Sequence, residues 1–158
     1  MILTKKRLRD ELLKKDNNYL TDTQLVFSTH MELVDKEGFP WEDKRKVEFL
    51  TDKVEETVHR VNLKLCRYFM KRPETRIHFA GFIEGLKGKN LHCHSILKIP
   101  TMYDVDDVIG KLKYHFESLH PSFECYRGSY RPELYFQNTE YSMKEYRPDN
   151  DLLTFIYL

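Results

Sequence analysis

The chain has 158 residues, of which 41% are hydrophobic and 32% are charged, and this composition suits one soluble globular domain with a single core. It excludes an intrinsically disordered protein. The formal net charge of +1 argues neither for nor against a nucleic-acid partner.

The cysteines and the apolar segments bear on location. Cys66, Cys93 and Cys125 are an odd number without paired spacing, which predicts reduced thiols and an intracellular protein. The first residues lack the apolar run of a signal peptide, and no stretch is long enough to cross a bilayer. We therefore expect no membrane partner.

The N-terminal third is predicted to contain a helix and a strand. Residues 1–18 form a basic appended segment, in which residues 3–15 have a thin leucine stripe beneath a basic helix face. A strand is predicted from about Gln24 to Val34, where apolar and polar residues alternate. His30 and Glu32 belong to its polar set, so both side chains are expected on the polar face of a sheet.

A long helix is predicted next, roughly from Trp41 to Lys71. Its apolar residues recur every three or four positions, and they are Val47, Leu50, Val54, Val58, Val61, Leu65 and Phe69. No heptad pattern with a matched partner is evident, so the helix is expected to cover the apolar face of the sheet. Pro73 is expected to end it.

Residues 82–97 are the most informative stretch, and they predict two short antiparallel strands joined by a Gly/Lys/Asn turn. Side chains alternate along a strand, so His92 and His94 share one face while Cys93 points to the other. Pairing of Glu84 with His92, or equally with His94, places the carboxylate beside both imidazoles.

The same alternation sorts the neighbouring residues into two faces. The apolar face is predicted to hold Ile77, Phe79, Ile83, Leu91, Cys93, Leu97 and Ile99. The opposite face is predicted to hold His78, Glu84, His92, His94 and Lys98. This pattern is typical of a half-buried antiparallel sheet whose chemistry lies on its open side.

Two imidazole nitrogens and one carboxylate oxygen on one face form a ligand set for a divalent cation. Glu84, His92 and His94 are therefore candidate metal ligands, and His30 and Glu32 are candidates for a further ligand. The alternative is a pair of solvated or hydrogen-bonded histidines, because a His-x-His motif also arises by chance.

The C-terminal half predicts a second helix, about Val105 to Leu119, with Asp104 and two further aspartates at its positive end. A strand over residues 123–137 follows, and after it a short helix (Thr139–Tyr146) and a final strand (Leu152–Tyr157). The strand over 123–137 carries an aromatic and basic cluster of the kind that binds single strands, although packing is an alternative use for its tyrosines. The members of this cluster are Tyr126, Arg127, Tyr130 and Arg131, and His30 is a further candidate for DNA binding.

This order of elements predicts one α+β domain over residues 1–158 with a ferredoxin-like (split βαβ) fold. We expect an antiparallel sheet of about five strands, with the helices on one face and an open catalytic face.

Tyr141 and Lys144 lie three residues apart on the predicted short helix and are therefore neighbours. A tyrosine near a metal site suggests attack by a phenolate on a phosphodiester. Because a tyrosine ionises at about pH 10, it needs the help of a cation or a base. A divalent metal can polarise the phosphate oxygen and a lysine can neutralise charge.

His92-Cys-His94, with Glu84 on the preceding strand and Tyr141-Ser-Met-Lys144 on a later helix, resembles the HUH endonucleases. More narrowly, it is similar to the rolling-circle replication initiators (Rep proteins) of small single-stranded DNA viruses and plasmids. The strand over residues 25–29 loosely matches the first motif of that family, so the resemblance covers most of the chain.

The resemblance implies an enzyme that nicks and joins single-stranded DNA at an origin stem-loop. Tyr141 would attach to the 5′ phosphate and free a 3′ hydroxyl, while Lys144 would neutralise the phosphate. Glu84, His92 and His94 would hold Mn²⁺ or Mg²⁺. A host or viral helicase and polymerase would be partners, in the cytoplasm of a prokaryotic host or in the nucleus for a eukaryotic virus.

Two features depart from the family pattern, and two alternatives remain. Cys93 stands where the family has a bulky aliphatic residue, and Tyr146 is a second tyrosine that lies well round a continuous helix from Tyr141. The first alternative is a single-tyrosine transposase or a conjugative relaxase. The second is a non-catalytic ferredoxin-like nucleic-acid-binding module, with idle histidines or a structural zinc.

Overall fold

The structure is a computed structural model, and it describes Asp10, residues 19–128 and residues 155–157. These residues form an α+β fold with an open antiparallel sheet and two α-helices. The elements in chain order are β1 (Tyr19–Ser28), α1 (Asp43–Leu65), a 3₁₀ turn (Pro73–Thr75), β2 (His78–Glu84), β3 (His92–Pro100), α2 (Val105–Glu117), β4 (Glu124–Arg127) and β5 (Phe155–Tyr157). Neither described helix combines the length and the apolar composition needed to span a bilayer.

The strands lie in the order β4-β1-β3-β2-β5, and each neighbouring pair is antiparallel. Helix α1 connects β1 to β2 and helix α2 connects β3 to β4, so each helix links two strands that are not neighbours. In the β2–β3 hairpin, Glu84 is the partner of His92 and His78 is the partner of Lys98. The predicted hairpin is confirmed, and of the two pairings considered for Glu84 the structure has the one with His92.

The core lies between the helices and one face of the sheet. Phe27 of β1 makes edge-to-face contacts with Phe79 of β2 and Phe116 of α2, at ring-centroid distances of 5.8 and 5.0 Å. The apolar face predicted for the hairpin is confirmed, because all of its members are buried in this core. The buried residues of α1 are Val47, Leu50, Val54, Thr57, Val58, Val61 and Asn62.

Helix α1 is shorter than the sequence predicts. It ends at Leu65 because Cys66 adopts an extended backbone, with φ −151° and ψ 111°, while its N–H closes the last turn on Asn62. Phe69 is nevertheless buried, so its packing continues the helical spacing beyond the helix. The prediction of a helix to Lys71 was therefore wrong.

The first strand is also displaced from its predicted range. Strand β1 begins at Tyr19 and ends at Ser28, after which Thr29 donates its N–H and its hydroxyl to the carbonyl of Leu91. His30 then has a positive φ of 47°, which takes the chain out of extended geometry. Leu33 lies in the loop that follows β1, and its side chain is buried in the core. The alternation of apolar residues after Ser28 therefore does not reflect a strand.

Helix α2 forms almost as predicted, and the side chain of Asp104 caps it by accepting a hydrogen bond from the N–H of Asp107 at 2.8 Å. Strand β4 accounts for the beginning of the predicted strand over residues 123–137, and β5 for the end of the predicted final strand. The predicted helices over residues 3–15 and Thr139–Tyr146 lie outside the described residues, Asp10 excepted.

The sheet face that carries the histidines is less exposed than predicted. Val26, Phe82 and Ile96 lie on this face, and each is at most 4% exposed. Large apolar side chains on the inner strands of a sheet favour burial on both faces. The catalytic face expected to be open is therefore buried at its centre.

Candidate metal centre

Three potential ligands converge at one end of the β2–β3 hairpin. The Oε2 atom of Glu84 is 3.6 Å from the Nε2 atom of His92 and 3.6 Å from the Nε2 atom of His94. The two imidazole rings are 5.0 Å apart and nearly perpendicular, at 81°. One ligand atom from each of the three side chains lies within 4.8 Å of the others.

These separations fit a shared cation. Two donor atoms bound to one metal ion at about 2.1 Å lie roughly 3.0–3.5 Å from each other. The distances of 3.6 Å from the Glu84 oxygen to both imidazole nitrogens are close to this range, so small side-chain rotations suffice to form a site. The three residues can therefore hold a divalent metal ion.

The cluster is largely shielded from solvent. The side chain of Glu84 is 7% exposed, that of His92 is 23% exposed and that of His94 is 16% exposed. A carboxylate loses hydration energy at such a position, and nearby positive charge compensates this loss. A bound cation beside Glu84 would supply such positive charge.

A main-chain group orients His92. Its Nδ1 atom lies 2.9 Å from the carbonyl oxygen of Asn90, while its Nε2 atom faces Glu84. Metal-binding histidines commonly donate their second ring N–H to a carbonyl or a carboxylate in this way. The prediction from sequence did not include Asn90, whose only signal was its position at the end of a Gly-containing turn before the first histidine.

The side chain of Cys93 points to the face of β3 opposite to His92 and His94. It is fully buried in the core beneath the two histidines, as the alternation predicts. Burial raises the pKa of its thiol well above the ordinary value. A protonated thiol on the opposite face does not act as a ligand of the cluster.

The other ligands considered from the sequence lie elsewhere. His30 pairs with Glu124 of β4, with Nε2 and Oε2 2.7 Å apart, and both side chains are about half exposed. Glu32 is exposed in the loop after β1. In the part of the chain that the structure describes, the only such metal cluster is formed by Glu84, His92 and His94.

Two of the predicted DNA-binding residues, Tyr126 and Arg127, lie on opposite faces of β4. Tyr126 is the partner of Val26, which in turn pairs with His94, so Tyr126 lies on the face of the metal cluster and is 42% exposed. Arg127 has the opposite orientation and contacts Asp106 of α2 at 3.2 Å. Arg127 and Tyr126 therefore point to opposite faces, because adjacent strand residues alternate, and the role of Arg127 in DNA binding stays a prediction.

Tyr130, Arg131, Tyr141, Lys144 and Tyr146 lie outside the described residues.

A cavity of about 610 Å³ lies between α1 and the beginning of β2. Its lining includes Glu55, His59, Asn62 and Arg76, and it contains none of the three clustered ligands. Its size is sufficient for a small molecule, and the three candidate metal ligands lie in a different part of the fold.

No protein-family model, no curated protein and no solved structure matches this chain. The function therefore has to be argued from the chemistry of the site.

Proposed function

We propose that the protein is a metal-dependent endonuclease that nicks and rejoins single-stranded DNA, and that it acts as an initiator of rolling-circle replication. The observation that carries the proposal is the convergence of Glu84, His92 and His94 on one face of a central hairpin. This arrangement is the one expected from the motif resemblance, and it depends on the register between β2 and β3.

The topology is consistent with the proposed class of fold. Strands β4-β1-β3-β2 are joined by α1 and α2 as two crossover connections, and this order supports a ferredoxin-like sheet with β5 added at one edge. The two strands that carry the ligands are neighbours within the sheet, so the ligands are held on rigid elements.

The donor set favours Mn²⁺ over Mg²⁺. Mg²⁺ prefers oxygen ligands, whereas the two imidazole nitrogens of His92 and His94 suit a transition metal. When bound, the cation would supply a Lewis acid that polarises a phosphate oxygen. Glu84 would contribute negative charge that holds the cation, and the partial burial of the cluster would strengthen these interactions.

The proposed covalent step uses Tyr141. The phenolate oxygen forms a bond to phosphorus, the bond from phosphorus to the 3′ oxygen breaks, and the released 3′ oxygen takes up a proton. The product is a 5′ phosphotyrosine and a free 3′ hydroxyl, and the reverse step joins a DNA end. Lys144 would neutralise negative charge on the phosphate during this transfer.

The proposal is tested by covalent adduct formation. The protein is incubated with single-stranded stem-loop oligonucleotides of randomised loop sequence, with Mn²⁺ or with a chelator, and is then denatured. We expect an adduct that survives denaturation with the wild-type protein and with Tyr146→Phe, and no adduct with Tyr141→Phe or with chelator.

The alternatives give different results in this experiment. DNA binding without any adduct would identify a non-catalytic binding module and would reject the nuclease. When transposon-end hairpins are tested alongside the stem-loop oligonucleotides, an adduct formed only with these hairpins would identify a transposase instead of a replication initiator. An adduct that persists in Tyr141→Phe would exclude Tyr141 as the nucleophile.

A further inference from the structure

Asn90 connects the end of β1 to the turn between β2 and β3. Its side-chain oxygen Oδ1 accepts a hydrogen bond from Oγ of Ser28 at 2.7 Å and another from the N–H of His30 at 3.2 Å. Both donors belong to the last residue of β1 or to the segment directly after it. The side chain of Asn90 therefore fixes the position of its own peptide unit relative to β1.

The carbonyl of the same residue reaches the metal cluster. Its oxygen lies 2.9 Å from Nδ1 of His92. A carbonyl oxygen only accepts hydrogen bonds, so Nδ1 of His92 must carry the proton. In the neutral ring the other nitrogen, Nε2, then keeps the lone pair that a metal ion requires, and this is the nitrogen that faces Glu84.

The turn is shaped around this carbonyl. Gly85, the residue after Glu84, has a positive φ of 82°. A Cβ atom at this position would collide with the carbonyl oxygen of Asn90 and would lie 3.2 Å from Nδ1 of His92. The absence of a side chain at Gly85 thus makes room for the hydrogen bond between Asn90 and His92.

We propose that Asn90 is a positioning residue for the metal centre. Its side chain anchors the turn to β1, and its carbonyl holds His92 as the Nδ1-protonated tautomer with Nε2 directed at the metal position. This inference rests on the proposed metal-binding role of Glu84, His92 and His94. Asn90 acts through His92 and contacts neither the metal ion nor the DNA.

The hydrogen bonds to the side chain of Asn90 can be removed while other hydrogen bonds still join the end of β1 to the start of β3. Thr29 donates its N–H and its hydroxyl to the carbonyl of Leu91 at 3.0 and 2.9 Å, and these bonds do not involve Asn90. Asn90→Ala would therefore release the Asn90 peptide unit while β1 and the turn stay joined. Asn90→Asp would keep an oxygen acceptor for Ser28 and His30.

The first experiment reads the His92 tautomer in metal-free protein by nitrogen NMR spectroscopy of labelled histidines. We expect a predominantly Nδ1-protonated ring in the wild-type protein and in Asn90→Asp, and a mixture of tautomers in Asn90→Ala. A wild-type His92 protonated at Nε2, or an unchanged tautomer in Asn90→Ala, would overturn the inference.

The second experiment measures Mn²⁺ affinity by calorimetry. Loss of a group that orients a metal ligand typically weakens binding about 10- to 100-fold, and we expect this loss for Asn90→Ala but not for Asn90→Asp. Asn62→Ala is the matched control, because the side-chain oxygen of Asn62 also accepts a main-chain N–H, from Ile77 at 2.9 Å, away from the cluster. It should lower stability and leave Mn²⁺ affinity unchanged.

The two experiments separate this inference from the proposed function. If the wild-type protein binds no Mn²⁺, the proposed function fails, while the tautomer still decides the role of Asn90. If Asn90→Ala does not fold, Ser28→Ala takes its place, because it removes one of the two donors to Asn90. An unchanged tautomer in Ser28→Ala together with wild-type affinity would then reject the inference.

Discussion

Glu84 and His92 are direct partners across the β2–β3 hairpin, and Oε2 of the acid is 3.6 Å from Nε2 of the imidazole. The same oxygen is also 3.6 Å from Nε2 of His94, so one carboxylate lies beside both histidines. Cys93 between them is fully buried on the other face. Strand β3 thus supplies candidate metal ligands on one face and core residues on the other.

Mn²⁺ binding should stabilise the folded protein through the clustered ligands. At a free concentration 100 times the dissociation constant, one bound ion adds about 2.7 kcal/mol to the free energy of unfolding. We expect this gain for the wild-type protein and its loss in Glu84→Gln and in His94→Ala, measured by urea unfolding with and without Mn²⁺. His59→Ala is the control, since His59 packs against Phe69 away from the cluster. A full Mn²⁺ effect in His94→Ala would contradict the site.

Two glycine substitutions should change stability in opposite directions. Gly85→Ala forces a side chain into a backbone with positive φ and against the carbonyl of Asn90, and we expect a loss of roughly 1–3 kcal/mol. Gly110→Ala lies within α2 with open space around the added Cβ, and it should gain about 0.5–1 kcal/mol. Urea unfolding of both variants checks this. Equal effects of the two substitutions would show that the turn does not require glycine.

Thiol reactivity should distinguish the three cysteines. Cys93 and Cys125 are buried, and burial raises the pKa of Cys125 to about 12, whereas Cys66 is partly accessible. Because the thiolate is the reactive form, we expect an aromatic disulfide reagent at about pH 8 to modify Cys66 rapidly in the native protein. All three should react in denaturant. Peptide mapping identifies the modified residue, and fast native modification of Cys93 would contradict the packing beneath the metal cluster.

Glu117 should make stability depend on pH in the acidic range. Burial opposes ionisation of this carboxyl, but hydrogen bonds from Lys113 at 2.8 Å and from the N–H of Cys125 at 3.1 Å outweigh it and lower the pKa below the ordinary value of 4.5. The folded state therefore binds this proton less tightly than the unfolded state. The resulting stabilisation is complete above the unfolded pKa and is lost as the pH falls through the folded value.

The measurement compares the wild-type protein with Glu117→Gln. The difference in their free energies of unfolding should shrink as the pH is lowered from about 6 to about 3. Glu48→Gln serves as the control, because Glu48 makes only an exposed ion pair with Lys44 at 3.9 Å. A difference that does not depend on pH would show that the hydrogen bonds from Lys113 and Cys125 do not stabilise the ionised form of Glu117.

The faces occupied by the residues of the β2–β3 hairpin could be predicted because they depend on local rules. Alternation along a strand places His92 and His94 on one face, and a short turn leaves few ways to pair Glu84 with them. The contact of His92 with Asn90 could not be predicted, because it depends on the main-chain path within the turn and on hydrogen bonds from β1.

Element boundaries and face exposure were predicted less well, for identifiable reasons. Phe69 continues the helical spacing of α1 although the chain leaves the helix at Cys66. Val26 and Phe82 are apolar residues on the histidine face, and their presence in the sequence already argued against a fully open sheet. The polar residues near them obscured this signal.

Strand β3 lies at the centre of the sheet, and this position determines how long the candidate metal site keeps its geometry during fluctuations of the native protein. His94 has Val26 of β1 on one side and Phe82 of β2 on the other, so fraying of the outermost strands leaves its neighbours in place. Amide hydrogen exchange at this strand is then expected only through openings nearly as costly as complete unfolding. The arrangement of the three candidate ligands would therefore persist while the edges of the sheet fray.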